Sequence, residues 1–258
     1  MNKMRAVILA GGRGTRLAPF TLRLNKGMAP IYSPEGAIPQ ILFPLRTLTN
    51  SGITDILIVT SRDHCGQLVE VLGDGTEYKC NLTYRIQEME RPITGIGQAL
   101  GLAKDFVGNS PFAVILGDNF YEDTFQKEFT EFENFSQTFG IGSSAIFLKE
   151  VEDAQRFGVA EVRDGNKVVN IIEKPENPVS KLAVTGLYLY DSYVFDLIPD
   201  LKPSKRSEIE ITDINNWYVR NKKMKAYILT NEWSDMGLPN SAHHVSSYLY
   251  NKEKKPNA

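Results

Sequence analysis

The chain has 258 residues, with 29 Lys and Arg against 31 Asp and Glu, 42% hydrophobic and 23% charged residues, and a net charge of −2. That length holds one large domain, or a large one with a small subdomain, and the balance is that of an ordinary soluble globular protein. A charge so near zero creates no overall field, so neither nucleic acid nor a membrane is an expected partner, and any basic patch must serve a particular anion.

The apolar runs at 6–10, 56–60, 113–116 and 145–148 do not alternate with polar residues. Such runs suit strands covered on both faces, as in a parallel sheet. They have strand length and fall far short of the ~20 residues of a membrane span. A further strand is expected to end at Arg85-Ile86-Gln87. Helical patterns lie between the strands. Residues 40–51 carry Ile41, Leu42, Leu45 and Leu48 on one stripe and stop at Gly52, and 66–72 and 97–106 repeat the pattern. The first half therefore reads β-α-β-α-β-α-β, a doubly wound open sheet.

In the second half, 159–162, 168–173 and 183–190 are expected strands joined by turn-rich pieces such as Asp164-Gly165-Asn166, an antiparallel signature. Helices near 212–221 and 240–250 flank a strand at 225–230. The expected fold is α/β, a three-layer Rossmann-like open and mostly parallel sheet with a smaller mixed β portion in the C-terminal half. One domain would span 1–250, divided near residue 140, and 251–258 reads as a flexible, charged tail. Cys65 and Cys80 have no metal-ligand spacing and are too few for a disulfide framework, so reduced thiols and a cytoplasmic location are the plain reading. His64 reads as a helix-start residue, and His243 and His244 as helix-surface residues.

Leu9-Ala10-Gly11-Gly12-Arg13-Gly14-Thr15-Arg16-Leu17 follows the first strand. Three glycines permit positive φ and let backbone amides approach a phosphate chain. At the carboxyl end of a strand in an open parallel sheet, this is where ligands bind. Leu17 stands where a dinucleotide fingerprint needs its third glycine, and no Gly-Lys-Ser/Thr follows to make a P-loop. Next comes Pro19-x-Thr21-x-x-x-x-Lys26-x-Met28-x-Pro30-Ile31.

This ordered combination resembles the signature of the nucleotide-sugar pyrophosphorylases, the sugar-1-phosphate nucleotidylyltransferase family, and the resemblance continues along nearly the whole chain. Its nearest branch resembles the glucose-1-phosphate thymidylyltransferases. It implies that a nucleoside triphosphate, dTTP or UTP, reacts with a hexose 1-phosphate, with Mg²⁺ as cofactor. Arg16 and Lys26 are then the catalytic cations, Arg16 toward the leaving pyrophosphate and Lys26 toward the transferring α-phosphate. Nucleotide contacts are implied for Leu9, Gly11, Gly12, Gly14, Thr15, Gln87, Gly95 and Asp118. Gln87 can offer a donor and an acceptor to the dione edge of uracil or thymine.

Leu116-Gly117-Asp118-Asn119 resembles the family's Gly-Asp-Asn motif, and Phe157-Gly158-Val159 its Phe-Gly-Val segment. Glu173-Lys174-Pro175 and Val184-Thr185-Gly186 resemble the sugar-phosphate half, which assigns Gly158, Glu173, Lys174 and Val184 to that substrate. Ile172 stands where many thymidylyltransferases have a first acidic residue. Trp233-Ser234-Asp235-Met236-Gly237 matches a Trp-x-Asp-x-Gly metal motif, with Met236 and Leu238 where Thr is usual, so Asp118 and Asp235 are the expected Mg²⁺ ligands. In Glu210-Ile211-Thr212-Asp213, Thr212 or Asp213 is expected to cap the following helix. The family's longer members carry further helices used in tetramer packing and feedback binding, so a monomer or small homo-oligomer is expected here. Two other readings stay open: a noncatalytic relative that binds a nucleotide sugar as a signal, and a nicotinamide-dependent oxidoreductase.

Overall fold

In the computed structural model, residues 4–88, 95–204 and 207–254 are described. The strands are β1 (Arg5–Leu9), β2 (Pro30–Ser33), β3 (Gly36–Pro39), β4 (Asp55–Ser61), β5 (Asn81–Gln87), β6 (Phe112–Leu116) and β7 (Asn119–Tyr121) in the first half. In the second half they are β8 (Ser144–Glu150), β9 (Gly158–Arg163), β10 (Lys167–Glu173), β11 (Leu182–Tyr190), β12 (Met224–Ile228) and β13 (Trp233–Asp235). The α-helices are α1 (Leu42–Asn50), α2 (Cys65–Leu72), α3 (Ile96–Gly101), α4 (Lys104–Val107), α5 (Gln126–Phe139), α6 (Val194–Leu197), α7 (Ile211–Arg220) and α8 (Pro239–Lys254).

One sheet runs β10-β9-β11-β6-β1-β4-β5, with β8 on β11 and β12 on β8. β6, β1, β4 and β5 are mutually parallel. Their unbroken apolar sequences follow from burial on both faces. Ala6 and Ile8 of β1, Ile56 and Ile58 of β4 and Ala113 and Ile115 of β6 pack toward α1, α2, α5 and α8. The alternate residues Val7, Leu9, Leu57, Val59, Phe112 and Val114 pack toward α3, α4, α6 and α7. The result is the expected three-layer α/β arrangement. α1 stops as read, with Gly52 at φ 87°.

Three features differ from the reading. β8 does not lie beside the parallel set, because β11 enters antiparallel between it and β6. The β2–β3 hairpin and α5 were not expected; α5 carries polar residues among Phe129, Phe132 and Phe135, which blurs its stripe. α8 continues through Lys254, so 251–254 are helical rather than a tail, and 255–258 lie outside the described residues. Among the described residues no helix is long and apolar enough to cross a membrane.

The antiparallel insertion decides where the functional motifs meet. β11 reaches the carboxyl end of β6 at Leu187, β9 begins beside the start of β11, and β10 ends beside the start of β9, with Glu173 opposite Gly158. One sheet edge therefore gathers the ends of β1, β5, β6 and β10 and the starts of β9 and β11.

Candidate active site

The turn after β1 is held from both sides. Ala10 donates its N–H to the Val59 carbonyl at 2.8 Å, and Thr21 Oγ1 donates to the Gly14 carbonyl at 2.8 Å. Gly14 has φ 61°, and a Cβ there would stand 2.9 Å from Thr21 Cγ2. Glycine removes both objections. Gly12 is the opposite case: a Cβ there would meet nothing within 4 Å, so its backbone faces open space. Buried Asn25 sets the next turn, its side-chain Oδ1 accepting the Gly27 N–H at 2.7 Å while its Nδ2 donates to the Ala10 carbonyl at 3.3 Å. This aims Lys26, whose Nζ donates to Asp118 Oδ2 at 2.5 Å.

Asp118 lies between β6 and β7, and Asp235 ends β13, which pairs antiparallel with β7 and sets Asp235 opposite Asn119. Asp235 is thus on a short ribbon strand. The ideal Cβ position of Gly237 lies 3.1 Å from Asp118 Oδ2, 3.2 Å from Asp235 Oδ2 and 3.3 Å from Arg16 Nη2. Both carboxylates and a guanidinium converge on that glycine. Burial works to raise the Asp118 carboxyl, but the Lys26 ammonium and hydrogen bonds from Lys26 and Asn119 outweigh it and hold it low. Asp235 goes the other way. Burial and then the Asp118 charge push it up to about 6, against Arg156 and Arg16.

At one end of the cavity, Gln87 is 4% exposed. Its Nε2 donates to Gln98 Oε1 at 2.5 Å and to the Gly95 carbonyl at 3.3 Å, which turns Oε1 toward Gly11. The acceptor is therefore the atom nearest the glycine turn. Gly95 (φ 103°) and Gly97 have little space, since a Cβ on either would press on the chain at Glu208–Ile209.

At the other end, Glu173 and Lys174 line the same cavity although they are adjacent. β10 stops at Glu173, and Lys174 has φ 43°, a left-handed backbone that costs a non-glycine residue roughly 1–2 kcal/mol. The Lys174 N–H donates to the Phe157 carbonyl at 3.0 Å, and its Nζ lies 3.5 Å from Glu173 Oε1. Thr212 Oγ1 donates to Glu173 Oε2 at 2.5 Å. This corrects the capping assignment: Glu210 is the N-cap residue of α7, with no side-chain cap, and Thr212 and Asp213 sit within the first turn. The Thr212 hydroxyl is spent on the cavity instead.

A cavity of about 710 Å³ is bordered by every residue singled out from the sequence: Leu9, Gly11, Gly12, Gly14, Thr15, Arg16, Lys26, Gln87, Gly95, Asp118, Gly158, Glu173, Lys174, Val184 and Asp235. It is also bordered by residues to which the sequence assigned no role in the site, among them Arg13, Asn119, Arg156, Tyr188, Glu208, Thr212 and Trp233. Arg156 donates to Asp235 Oδ1 and Asp153 Oδ2, each at 2.7 Å, and its guanidinium lies over Phe157, 4.9 Å from the ring centre. Its position directly before the Phe-Gly-Val segment was an available signal. For Asn119 the signal was the Gly-Asp-Asn motif itself. Cys65 and Cys80 are free thiols, and His243 and His244 are exposed on α8.

The nucleotidyl transferase family model matches residues 5–252. The glucose-1-phosphate thymidylyltransferase of Neisseria meningitidis serogroup A is 36% identical over 249 residues, which is 95% of this chain and 82% of that protein. That of Xanthomonas campestris pv. campestris strain B100 is 36% identical over 256 residues, 96% of this chain and 81% of its own. Among solved structures, a Bacillus anthracis protein in complex with sucrose superposes with a TM-score of 0.87 at 40% identity, covering 99% of this chain and 97% of that one. A UDP-glucose pyrophosphorylase complexed with UDP-glucose superposes with a TM-score of 0.80 at 26% identity, covering 96% and 99%.

Proposed function

The chain belongs to the nucleotidyl transferase family, and on that premise we propose that it transfers a nucleotidyl group from dTTP or UTP to a hexose 1-phosphate, glucose 1-phosphate foremost. The products are a nucleotide sugar and pyrophosphate.

One observation carries this reading. Arg16, Lys26 and Lys174 border one cavity with the glycine turn, and among the described residues lining it there is no Ser, Cys or His. Such a site has cations and amides for two anionic substrates but no Ser, Cys or His nucleophile. None is needed, because a sugar phosphate is already ionised at neutral pH. Its oxygen attacks the α-phosphorus in line, the bond to the β-phosphate oxygen breaks, and pyrophosphate leaves. Catalysis then consists of positioning and charge neutralisation. Gly12 and its neighbours offer amides to the phosphate chain, Arg16 faces the departing pyrophosphate, and Lys26 the α-phosphate. Lys174 takes the sugar phosphate, and Glu173, braced by Thr212, takes sugar hydroxyls. Gln87 Oε1 suits the ring N–H of a uracil or thymine.

Asp118 and Asp235 fit Mg²⁺. Each brings an Oδ2 atom to one point beside Gly237, burial and then the Asp118 charge push the Asp235 carboxyl up, and a divalent ion would offset that charge while completing its shell with phosphate oxygens. When bound, it would neutralise charge on the transferring phosphate.

Pyrophosphate release measured across four triphosphates and several hexose 1-phosphates tests the reading. Release confined to dTTP or UTP with a hexose 1-phosphate is expected. Nucleotide-sugar binding without turnover would replace it with the signalling alternative.

A further inference from the structure

Asp118 Oδ2 is wanted twice. It accepts the Lys26 ammonium at 2.5 Å, and it is also the oxygen that comes within 3.1 Å of the Gly237 Cβ position, which Asp235 Oδ2 approaches to 3.2 Å. Both carboxylates thus bring an Oδ2 atom to one point beside Gly237, and the Asp118 oxygen there is the one that the ammonium holds. Asp118 Oδ1 is engaged by the Asn119 amide at 3.0 Å. Asp235 is arranged differently, since Arg156 grips its Oδ1 and the oxygen beside Gly237 is Oδ2.

We infer that Lys26 is the resident counter-ion of Asp118 in the nucleotide-free protein and moves to the α-phosphate when nucleotide binds, so that divalent cation and nucleotide bind with positive coupling. This rests on the reading of Asp118 and Asp235 as cation ligands. The physical reason is competition for one atom. A divalent ion entering the nucleotide-free site must displace an ammonium from a short contact. The Lys26 side chain is only 20% exposed, and its ammonium would have to give up its partner without a replacement. An α-phosphate supplies the replacement. Lys26 can reach it, because its stem borders the phosphate turn: its Cβ lies 3.1 Å from the Gly14 Cβ position. The ligand count points the same way. Among the described residues no group of three or more His, Cys, Asp and Glu could hold a metal. Two carboxylates leave most of an octahedral shell to water and phosphate.

The coupling is reciprocal, so it can be read without turnover. Free Mn²⁺ is measured by electron paramagnetic resonance at pH 8.5 over wild type, Lys26→Gln and Asp118→Asn, each alone and with dTMP or UMP. These monophosphates carry the α-phosphate but chelate the ion weakly. Wild type should bind Mn²⁺ weakly alone and roughly tenfold more tightly with the monophosphate. Lys26→Gln should already bind more tightly than wild type alone, with a smaller further gain from the monophosphate, which then comes only from its oxygens on the ion. Equal Mn²⁺ affinity in wild type and Lys26→Gln, with Asp118→Asn weakened, overturns the exchange and leaves the cation site standing. Asp118→Asn binding Mn²⁺ like wild type removes the cation site itself.

Discussion

Asn119 Oδ1 accepts the Trp233 indole N–H at 2.8 Å, which ties the turn carrying Asp118 to the strand carrying Asp235. The same oxygen accepts the Gly186 N–H at 3.1 Å, and Nδ2 donates to Asp118 Oδ1 at 3.0 Å. A side chain 1% exposed thus joins three strands around the carboxylate pair. Asn119→Ala leaves the indole and the amide buried without their acceptor, and should lower stability by about 2–3 kcal/mol. Urea midpoints check this, and kcat should fall even well below the transition.

Gly12 and Gly97 should respond oppositely. Gly12→Ala meets no atom within 4 Å, so the urea midpoint should stay near that of wild type while the triphosphate KM rises. Gly97→Ala drives a methyl into Ile209 and should cost about 1–3 kcal/mol. A large loss of stability for Gly12→Ala would mean that the turn is closed by contacts rather than open to a ligand.

Thr212→Val distinguishes bracing from capping. The α7 N-cap is Glu210, so the substitution should leave Tm within a few degrees of wild type. Loss of the hydroxyl from Glu173 should instead raise the KM for the hexose 1-phosphate, with little change for the triphosphate.

Lys174→Ala should weaken sugar-phosphate use far more than triphosphate binding. It should not relieve the left-handed backbone, since alanine tolerates φ 43° no better than lysine does. Lys174→Gly would relieve it, so that variant should be the more stable of the two by about 1 kcal/mol with the same kinetic defect. Isothermal binding of each substrate separates the outcomes.

Asp235 sets a pH dependence. Its folded carboxyl is raised to about 6 from an ordinary 3.8, so the native state holds a proton that the unfolded chain has lost between those values. The group's contribution is therefore full below pH ~4 and disappears as pH rises through ~6. Asp235→Asn keeps the Arg156 hydrogen bond and abolishes the charge. It should be more stable than wild type by about 1–2 kcal/mol at pH 8 and by little at pH 4.5, with Mg²⁺-dependent turnover falling roughly 10²-fold. Equal stability differences at both pH values would mean that Asp235 ionises normally.

What the sequence determined by itself was local. The buried strands, the stop at Gly52, the phosphate-facing turn and each short motif were legible, because unbroken apolar runs and glycines report local backbone and burial. Its limits were also physical. α5 mixes polar residues with Phe129, Phe132 and Phe135, so periodicity undersold it, and Thr212 was read as a cap because the sequence gives no sign of Glu173 across the cavity. That Asp118 and Asp235, 117 residues apart in chain numbering, share Gly237 as a neighbour depends on the β7–β13 ribbon. That Glu173 and Lys174 face one cavity depends on a left-handed residue at the end of β10. Arg156 met Asp235, and Asn119 met Gly186 and Trp233, only when β11 entered antiparallel between β6 and β8 and brought the second half of the chain to the carboxyl edge of the first. Pairing between distant strands is decided by the packing of both sheet faces together, and no single stretch of sequence encodes it.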